Sequence, residues 1–417
     1  MFYQKKDSMT YIFLTPEIGS MGGSQMYVCN KSIYLRSLGW DVKICYFTKS
    51  DVFIKRMHDF ETYYFPELAW GVQFYLPCRV KKIIKDIVIS LGLDDNNIIV
   101  ESCLFHLAFW GEMLASKLKA KHIIDFLEEG IPDYSPRVAR FIEYKLFRWE
   151  CMNASEASLK RIFKNYYKPE YKKYEFVMDF YCSNVSYDLD NTTDTYNNIL
   201  DTFNREKQTD RTILSIGRLD KPYIYEMVNQ ILLFSRNHKN LSISLIFIGG
   251  SPDGKVEKDI KKITSEVSNI KLHLFGYVYP IPSQIVKFAN IAIASSNSVL
   301  VSYNLGIPTI AVDANDYYAL GLYGEDTYNK VFRKDEKKIP ISYYLEKVLI
   351  NNDYKSPSSV IAEKSEQELL DEHFKDQIYF IERTNNDGSY YNVSSIIPFV
   401  RNIRGLLVRF VVFLKKL

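Results

Sequence analysis

The sequence predicts an α/β protein made of two Rossmann-like domains that face each other across a cleft. Short apolar runs that suit buried parallel strands alternate with helical segments over residues 11–126, and again over residues 211–312. Glycine-containing or polar turns follow these strands, where a doubly wound sheet binds its ligands. A polar stretch of different composition, residues 183–195, separates the two halves. The predicted parts are an N-terminal domain at 1–185, a linker at 186–210, a C-terminal domain at 211–380 and a tail at 381–417.

Composition limits the class of protein and its partners. The 417 residues have a formal net charge of +3 with 47% hydrophobic and 15% aromatic residues, so large cores can form and no nucleic-acid partner is implied. The six cysteines make no CxxC pair and no metal-like cluster with the six histidines. This pattern predicts reduced thiols, no metal, no cofactor and a cytoplasmic protein. No run approaches the roughly 20 apolar residues of a membrane span, and the N-terminus lacks a signal-peptide core.

The first half opens with a βαβ unit. A strand over 11–15 is followed by Gly22 and Gly23, a helix over 25–38 and a strand over 42–47. The glycines would let a ligand approach the backbone at the helix N-terminus, and a plain loop is the alternative interpretation. The spacing is not GxGxxG, so the dinucleotide fingerprint is absent. Further helices are predicted over 81–91, 104–118 and 141–153, and further strands over 97–100 and 122–126.

Acidic residues gather where the last of these strands ends. Asp125, Glu128, Glu129 and Asp133 lie at or just beyond its carboxyl end, which faces the ligand crevice in a doubly wound sheet. We therefore treat the first three as candidate catalytic groups. Helix capping and loop solvation are the alternative roles, favoured for Asp133. His106 is a weaker candidate, because such a histidine is more often packed or capping than catalytic.

The second half repeats the alternation of strand and helix. Strands are predicted over 212–216, 242–248, 270–275, 291–294 and 309–312, separated by helices over 225–236, 256–267, 283–289 and 299–305. Helices of this length between strands predict a parallel sheet with right-handed crossovers.

Two turns of this half suit an anion. Arg218 follows a strand and a glycine, so its guanidinium could make paired contacts with a diphosphate, and Lys221 could add a second cation. The turn Ser296-Asn297-Ser298 starts a short helix at a strand's carboxyl end, where backbone N–H groups would face a phosphate. A solvated arginine and an ordinary βαβ crossover are the respective alternatives.

The tail over residues 396–417 is predicted to form a basic amphipathic helix. Its arginines and lysines fall on one face and its leucines and phenylalanines on the opposite face. Such a helix can lie on an anionic membrane surface. The alternative is a last helix packed on the body of the protein.

In their order and spacing, five short motifs resemble glycosyltransferase family 4. They are Gly22-Gly23, Ser215-Ile216-Gly217-Arg218-Leu219, Phe247-Ile248-Gly249-Gly250, Leu274-Phe275-Gly276-Tyr277-Val278 and Gly306-Ile307-Pro308-Thr309-Ile310-Ala311. The resemblance covers most of residues 10–380, and each motif alone is weak. It implies a GT-B fold with an N-terminal acceptor domain, a C-terminal nucleotide-sugar domain, and retaining transfer without an essential metal.

The resemblance also implies roles for individual residues. Arg218 would hold the donor diphosphate, Gly276, Tyr277 and Val278 would lie near the base, Ser296, Asn297 and Ser298 near the phosphates or sugar, and Gly23 beside the transferred group. The sequence departs from the family at Val301, where a ribose-binding glutamate is usual. It departs again at Tyr223, where a lysine is usual, which leaves Lys221 as a displaced substitute. The acidic segment 125–129 replaces a common histidine.

Three functions follow from the resemblance. The first is a glycosyltransferase moving a sugar from a nucleoside-diphosphate donor to a lipid-linked or polysaccharide acceptor, docked by its tail on the inner face of the cell membrane. Arg218 and the acidic residues Asp125, Glu128 and Glu129 would carry its chemistry. The second is a non-catalytic GT-B protein that binds or activates a partner glycosyltransferase, as Val301 and Tyr223 suggest. The third is another GT-B enzyme, such as an epimerase or phosphotransferase.

Overall fold

The chain forms two compact units in its computed structural model. The first unit contains the described residues up to 176 and those from Asp371 onward, and the second unit contains the described residues in between. Residues 371–380, which the sequence boundaries place in the second domain, thus group with the first unit. The structure describes residues 9–19, 22–49, 54–93, 97–127, 136–176, 197, 199, 201, 209–278, 281–355, 366–384 and 387–393.

A six-stranded parallel sheet forms the centre of the first unit. Its strands are β1 (Thr10–Thr15), β2 (Asp41–Tyr46), β3 (Glu61–Tyr64), β4 (Ile98–Ser102), β5 (Lys121–Asp125) and β6 (Cys151–Met152). Their order in the sheet is β3-β2-β1-β4-β5-β6, with every neighbouring pair parallel. The helices of this unit are α1 (Gly23–Ser37), α2 (Pro77–Leu91), α3 (Phe105–Leu118), α4 (Pro136–Phe147) and α5 (Glu156–Phe163), with 3-10 turns at Lys55–Asp59, Pro66–Ala69, Val72–Phe74, Lys164–Tyr166 and Pro169–Tyr174.

Both faces of this sheet are covered, as the apolar character of its strands requires. All six residues of β1 are buried, and alternate side chains point to opposite faces. Ile12 and Leu14 join the large apolar cluster under α2, α3 and α4. Tyr11 and Phe13 lie on the other face, where the Lys31 ammonium of α1 sits 5.0 Å from the Tyr11 ring centroid.

The second unit repeats this design. Its strands are β7 (Arg211–Ile216), β8 (Ile243–Ile248), β9 (Ile270–Leu274), β10 (Ile291–Ala294), β11 (Thr309–Val312) and β12 (Ala319–Leu322). Their order is β12-β11-β10-β7-β8-β9, parallel except for the antiparallel pair of β11 and β12. The helices are α6 (Tyr223–Asn237), α7 (Lys255–Thr264), α8 (Ser283–Lys287), α9 (Ser298–Tyr303) and α10 (Ile341–Leu345), the last continued by a π-helical turn at Glu346–Ile350.

The α/β architecture of two Rossmann-like units predicted from the sequence is confirmed. Ile213 and Leu245 pack into one apolar cluster of the second unit, whereas Leu214 and Ile246 pack into another on the opposite face of the sheet. Continuous apolar strands of this kind are expected where helices cover both faces of a parallel sheet.

One predicted helix is wrong. The segment 141–153 was expected to be a single helix, but α4 ends at Phe147 and residues 151–152 form β6. Trp149 takes a left-handed backbone conformation at φ 59°, and its N–H donates to the Leu146 carbonyl at 3.0 Å, which closes the helix. Pairing with the edge of β5 therefore outweighs the helical pattern.

A final helix, α11 (Glu366–Arg383), fastens the C-terminal part of the chain to the first unit. Phe374 packs against Tyr34 with ring centroids 5.6 Å apart, and the Tyr27 hydroxyl oxygen lies 3.1 Å from Gln377 Oε1. Further on, Val393 is buried in the core of the first unit. The predicted tail helix at 396–417 lies outside the described residues, and no described helix is both long and apolar enough to span a bilayer.

Candidate functional site

The best candidate site lies at the carboxyl edge of the second sheet, between β7 and β10. These two strands are neighbours, but the chain leaves β7 toward β8 and leaves β10 toward β11. The loops that follow them therefore diverge and leave a crevice, which is the usual ligand position of an open parallel sheet. The structure brings Arg218 and Lys221, after β7, to the same edge as Ser296, Asn297 and Ser298, after β10.

Glycines hold the loops after β7, β8 and β9 against one another. The N–H of Gly217 donates to the Ile248 carbonyl at 3.0 Å, and the N–H of Gly249 donates to the Gly276 carbonyl at 2.7 Å. Gly249 has φ 136°, and a Cβ there would lie 2.0 Å from the Gly217 carbonyl oxygen. Only glycine fits this position, since both the conformation and the space exclude a side chain.

Arg218 lies at the mouth of the crevice. Its side chain is 54% exposed, and its Nε lies 3.2 Å from Asp220 Oδ1, which is itself 33% exposed. Exposed pairs of this kind contribute about 1 kcal/mol or less, so the guanidinium can exchange Asp220 for an anionic ligand at little cost. Lys221 is half-buried three residues further on.

The predicted base-binding segment stands at the end of β9. Gly276 has φ 70°, and the Tyr277 hydroxyl donates to the Gly250 carbonyl at 2.9 Å. The Tyr277 ring covers Gly250, where a Cβ would lie 2.8 Å from ring carbon Cε2. Val278 is 7% exposed and packs in the core, so its side chain serves packing and the neighbouring backbone is what a ligand can reach.

The turn after β10 is strained and braced. Ser296 has φ 63°, a left-handed conformation that is uncommon for a residue other than glycine, and its N–H donates to the Lys330 carbonyl at 2.7 Å. Ser298 Oγ lies 3.8 Å from the position of a Cβ on Gly217, so the turns after β7 and β10 meet. The predicted helix that follows is confirmed, but α9 has only six residues and its dipole adds little.

The two positions that depart from the family pattern are buried. Val301 is 8% exposed and packs with Leu214 and Ile216 on the sheet, and Tyr223 is 1% exposed at the start of α6. Both side chains therefore contribute to the core of the second unit. Neither can supply the charge that the resemblance implies at that place.

In the first unit, the glycine pair stands at the start of α1. Gly22 is the N-cap residue, and among the described residues no side chain caps the helix and no atom lies within 4 Å of a Cβ on Gly23. The first N–H groups of an α-helix have no partner within the helix, so those of this 15-residue helix need partners from outside it. This edge of the first sheet lies between β1 and β4, the corresponding switch point of that unit.

The acidic candidates have different positions. Asp125 is 1% exposed at the end of β5, where Asn153 Nδ2 donates to its Oδ1 at 2.6 Å. Burial, and then the charge of Glu101, raises the pKa of Asp125 to about 6. Glu128 and Glu129 lie outside the described residues. His106 is in edge contact with the Phe47 ring, and burial lowers its pKa.

A serine, histidine and glutamate cluster that the sequence did not reveal lies inside the first unit. Ser102 Oγ is 3.0 Å from His122 Nε2, and His122 Nδ1 is 2.7 Å from Glu112 Oε2. All three are at most 2% exposed, and Gly111 packs so tightly on them that a Cβ would lie 2.2 Å from Ser102 Oγ. Burial and the charge of Lys145 lower the pKa of His122 to about 4. No substrate can reach this cluster, so its role is structural.

The structure also brings Lys330 to the site, which sequence reasoning missed. Lys330 follows the short strand β12, and it is far in sequence from every motif of the second unit. No local pattern could have found it, because its position depends on how the loop returns to the sheet edge. As to metals, the described residues contain no group of three or more histidine, cysteine, aspartate or glutamate side chains arranged to hold an ion.

Comparison with known proteins supports the fold. No protein family model and no curated protein sequence matches the chain. Among solved structures, HepE of Anabaena with UDP and glucose is similar at TM-score 0.55 and 11% identity, covering 90% of this chain and 98% of that one. A glycosyltransferase from Rickettsia africae ESF-5 is similar at TM-score 0.56 and 13% identity, covering 90% and 96%.

A third similar structure is a TarM variant of S. aureus in complex with Fondaparinux, alpha-GlcNAc-glycerol and UDP. Its TM-score is 0.51 at 10% identity, and the match covers 95% of this chain and 99% of that chain. At such low identities a structural likeness establishes the fold alone. The chain therefore has the two-domain Rossmann-like fold, called GT-B, of these glycosyltransferases.

Proposed function

We propose that this protein is a glycosyltransferase that uses a nucleoside-diphosphate sugar as its donor. The observation that carries the proposal is the meeting of the Gly217-Arg218 turn and the Ser296–Ser298 turn at the switch point of the second sheet. This edge combines close backbone approach, serine hydroxyls and a guanidinium in a solvent-exposed ion pair with Asp220. Those groups suit a diphosphate. Two of the similar structures named above, HepE and the TarM variant, contain UDP, which makes UDP-sugars the first donors to test.

The proposed chemistry places charge stabilisation on the second unit. The bond between the anomeric carbon and the diphosphate oxygen breaks, the acceptor oxygen bonds to that carbon, and the proton of the acceptor hydroxyl is released to water. The leaving diphosphate gains negative charge, which Arg218 and Lys221 would stabilise from fixed positions. Gly276 and Tyr277 would receive the base, and Ser296, Asn297 and Ser298 the sugar-side phosphate.

The finer parts of the proposal rest on the resemblance to glycosyltransferase family 4. They are membership of that family, a retaining mechanism without a metal, and a lipid-linked or polysaccharide acceptor in cell-surface glycan synthesis. Gly22 and Gly23 would flank the transferred sugar. Asp125, Glu128 or Glu129 would orient the acceptor or stabilise positive charge on the sugar. Because Asp125 is buried, it would act on groups around it more readily than on the acceptor itself.

A second function is supported by a specific observation. Val301 and Tyr223 replace the charged residues implied by the resemblance, and both are built into the core of the second unit. Losing a hydrogen bond to a charged group costs on the order of 1.5 to 3 kcal/mol. A GT-B protein without catalysis that binds or activates a partner glycosyltransferase would tolerate that loss.

A donor panel with Arg218→Ala separates these functions. We expect the wild type to bind a nucleoside-diphosphate sugar and to release the diphosphate in the presence of acceptor, measured by calorimetry and by product analysis. Arg218→Ala should lower the transfer rate roughly 100- to 1,000-fold, as removal of one stabilising donor does elsewhere. Arg236→Ala is the matched control, because Arg236 is exposed in the last turn of α6, about 20 Å along the helix from the crevice.

Each outcome has a defined meaning. Tight donor binding with no turnover on any acceptor would favour the non-catalytic function. Turnover that Arg218→Ala leaves unchanged would contradict the site assignment. Equal losses for Arg218→Ala and Arg236→Ala would show that general positive charge, and not this crevice, holds the donor.

We also propose that the protein is cytoplasmic and associates peripherally with the inner face of the cell membrane through residues 396–417. The composition of that segment supports the proposal, since its basic and apolar residues separate onto two faces of a helix. Flotation with vesicles of anionic lipid should recover the full chain and not a chain ending at residue 395. Equal recovery of the two chains would remove the membrane assignment.

A further inference from the structure

Three aromatic side chains form a contiguous group on the surface of the first unit, where α4 ends and β6 begins. Phe147 and Trp149 are 40% and 42% exposed, and both rings contact Tyr174, at centroid distances of 5.1 and 5.3 Å. We call Phe147, Trp149 and Tyr174 the aromatic patch. Tyr171, which contacts Phe147 and is 1% exposed, connects the patch to the core. Single exposed apolar residues are common, whereas a contiguous group of large ones points to an interaction surface.

The backbone holds Trp149 in a conformation that a bulky side chain does not favour. Its φ of 59° lies in the left-handed region, which glycine and asparagine adopt more readily than an aromatic residue. The N–H of Glu150 donates to the Lys145 carbonyl at 3.0 Å, so the turn is closed by backbone bonds. The tryptophan thus brings strain and an exposed ring to a turn that a smaller residue would form. Such an outlier points to a function of the side chain.

The part of the chain that holds the patch is strongly basic. Residues 136–176 contain ten lysine or arginine and five glutamate residues, a formal net charge of +5, although the whole chain has only +3. Glu143 and Glu156 pair with three of the lysines, and this net charge includes them. Among the described side chains of the range, Glu170 is the one exposed acid. The exposed basic side chains are Arg140, Lys160, Lys164, Lys168, Lys172 and Lys173. Charge complementarity therefore calls for an anionic partner.

The position of the patch in the fold separates it from the ligand crevice. Residues 148–150 lead into β6, so they stand at the amino edge of the parallel sheet. Ligands of such sheets bind at the opposite, carboxyl edge. The patch therefore serves an interaction other than contact with the reacting groups.

The end of the described chain packs beside the same helix as the patch. The Arg148 guanidinium binds both carboxylate oxygens of Asp387 at 2.9 and 3.0 Å, and the Tyr391 ring contacts the Phe141 ring of α4. The basic and apolar segment 396–417 thus begins shortly after a stretch that is fixed along α4. The patch and the start of that segment belong to one side of the first unit, which favours a bilayer as their common partner.

We propose that the aromatic patch and the lysines around it form a second membrane-binding surface, which contacts a bilayer containing anionic lipid. Tryptophan and tyrosine rings favour the boundary between headgroups and acyl chains, and lysines beside them attract anionic headgroups. The inference rests on the peripheral membrane association proposed above and does not involve the donor site. Because one weak contact gives only marginal, reversible binding, the segment 396–417 and the patch act together.

Trp149 reports this contact directly, because residues 396–417 contain no tryptophan. The full chain is titrated with vesicles of phosphatidylcholine and phosphatidylserine whose acyl chains are brominated next to the headgroups. Bromine quenches a tryptophan only at close range. We expect the vesicles to quench the emission of the wild type and to leave that of Trp149→Phe almost unchanged, because the other tryptophans are buried or partly buried, namely Trp40, Trp70 and Trp110.

Flotation of full-chain variants measures how much each part of the surface contributes. Trp149→Asn should lower the membrane partition coefficient roughly 10-fold through lost apolar contact, and asparagine suits the left-handed turn. Lys172→Gln with Lys173→Gln should lower it roughly 10- to 30-fold at low salt and less at high salt. The matched control is Lys261→Gln with Lys262→Gln, an adjacent exposed pair on α7 of the second unit, which should float like the wild type.

Three results would overturn the inference while leaving the role of residues 396–417 intact. They are a full chain that floats without quenching of Trp149, patch variants that float like the wild type, and a control pair that loses as much binding as Lys172→Gln with Lys173→Gln. Thermal unfolding shows whether each variant keeps its fold, and the quenching of the wild type tests the contact even where a variant does not.

Two further results have different meanings. Trp149 emission that responds to soluble heparin and not to vesicles would place a polyanion on the patch and reject the bilayer. A wild type that does not float would reject both membrane surfaces. Neither result bears on the donor site, which nucleotide-sugar binding tests separately.

Discussion

The two units share one sheet design, but they differ in where they keep their charges. The first unit buries many acidic, basic and histidine side chains: Lys31, Lys43, Glu101, Glu112, His122, Asp125, Lys145, Glu150 and His373. Among the described residues of the second unit, those buried are His273 and Asp313. Asp313 is satisfied by backbone N–H groups, including that of Asn315 at 2.7 Å. The other charged side chains described in the second unit are exposed or partly exposed.

The buried charges of the first unit hold its own elements together. Lys31 of α1 lies 2.6 Å from Glu101 of β4, and Glu101 also accepts from the hydroxyls of Tyr11 and Tyr27. Glu112 is 2.9 Å from Lys145 Nζ and accepts the N–H of Tyr391 at 2.6 Å, which ties the C-terminal segment to α3. These networks connect sheet, helices and C-terminal segment, and every group has a partner inside the protein.

This difference in the burial of charged side chains distinguishes polar groups with a structural role from those that can bind a ligand. A buried charge with a fixed partner cannot also serve a ligand, whereas a charge at a strand end can exchange its partner. The crevice of the second unit holds Arg218, whose ion pair with Asp220 is exposed to solvent and weak. We therefore expect substitutions in the interior of the first unit to change the stability of the fold. Substitutions at the strand ends of the second unit should instead change ligand binding.

Breaking the buried pair should have the largest effect. Lys31→Met leaves the Glu101 carboxylate buried without its cation, which should lower the free energy of unfolding by about 3 to 5 kcal/mol. The double variant Lys31→Met with Glu101→Gln should recover more than half of this, because the amide is neutral, its oxygen can accept from one tyrosine hydroxyl and its NH2 can donate to the other. Urea titration followed by tryptophan fluorescence measures this unit, since all four tryptophans lie in it: Trp40, Trp70, Trp110 and Trp149.

The matched control lies in the second unit. Lys347 and Glu325 are 2.7 Å apart, but their side chains are 16% and 19% exposed, so water can reach the carboxylate that Lys347→Met leaves behind and the cost should be clearly smaller than that of Lys31→Met. Hydrogen exchange of peptides from residues 209–355 follows that unit. Two results would contradict the contrast between the buried pair of the first unit and the partly exposed pair of the second. One is an equal loss of unfolding free energy in Lys347→Met and Lys31→Met, and the other is a double variant that recovers none of the loss.

The strands of the two sheets could be predicted from the sequence, whereas most of the polar contacts between side chains could not. Runs such as 12–14 and 291–294 are apolar throughout, and burial on both faces leaves little alternative to a parallel strand. Glycine turns mark the strand ends for a similarly local reason, since Gly249 has a conformation and a space that admit no side chain. Short edge strands lack such signals, which explains why β3, β6 and β12 were missed.

The polar partners could not be predicted because they are distant in sequence. Ser102 and His122 are 20 residues apart, and Lys330 meets a turn 33 residues away. The Asp125 site shows the limit of a motif-based prediction. Its position at a strand end was correct, but the burial and the Asn153 contact come from the neighbouring strand β6, which the sequence analysis placed in a helix.

A smaller effect on stability, which depends on pH, is expected from substitution of Asp125. Its folded pKa of about 6 is raised, so its contribution to stability is complete below the unfolded pKa and is lost as the pH rises through 6. Asp125→Asn is neutral at every pH and its amide oxygen can still accept from Asn153. The variant should therefore be more stable than the wild type by roughly 1 to 3 kcal/mol at pH 7, and the gap should close toward pH 4.

Urea titrations of both chains at pH 7 and pH 4.5, followed by tryptophan fluorescence, measure this gap. Burial lowers the pKa of His122 in both chains, so its loss of stability in acid cancels when the two are compared. A gap of constant size, or a variant less stable at pH 7, would contradict the raised pKa. The same variant tests the proposed acidic role, because a gain in stability with a loss of transfer would make Asp125 a functional charge. Transfer at the wild-type rate would instead leave Asp125 with the structural charges of the first unit.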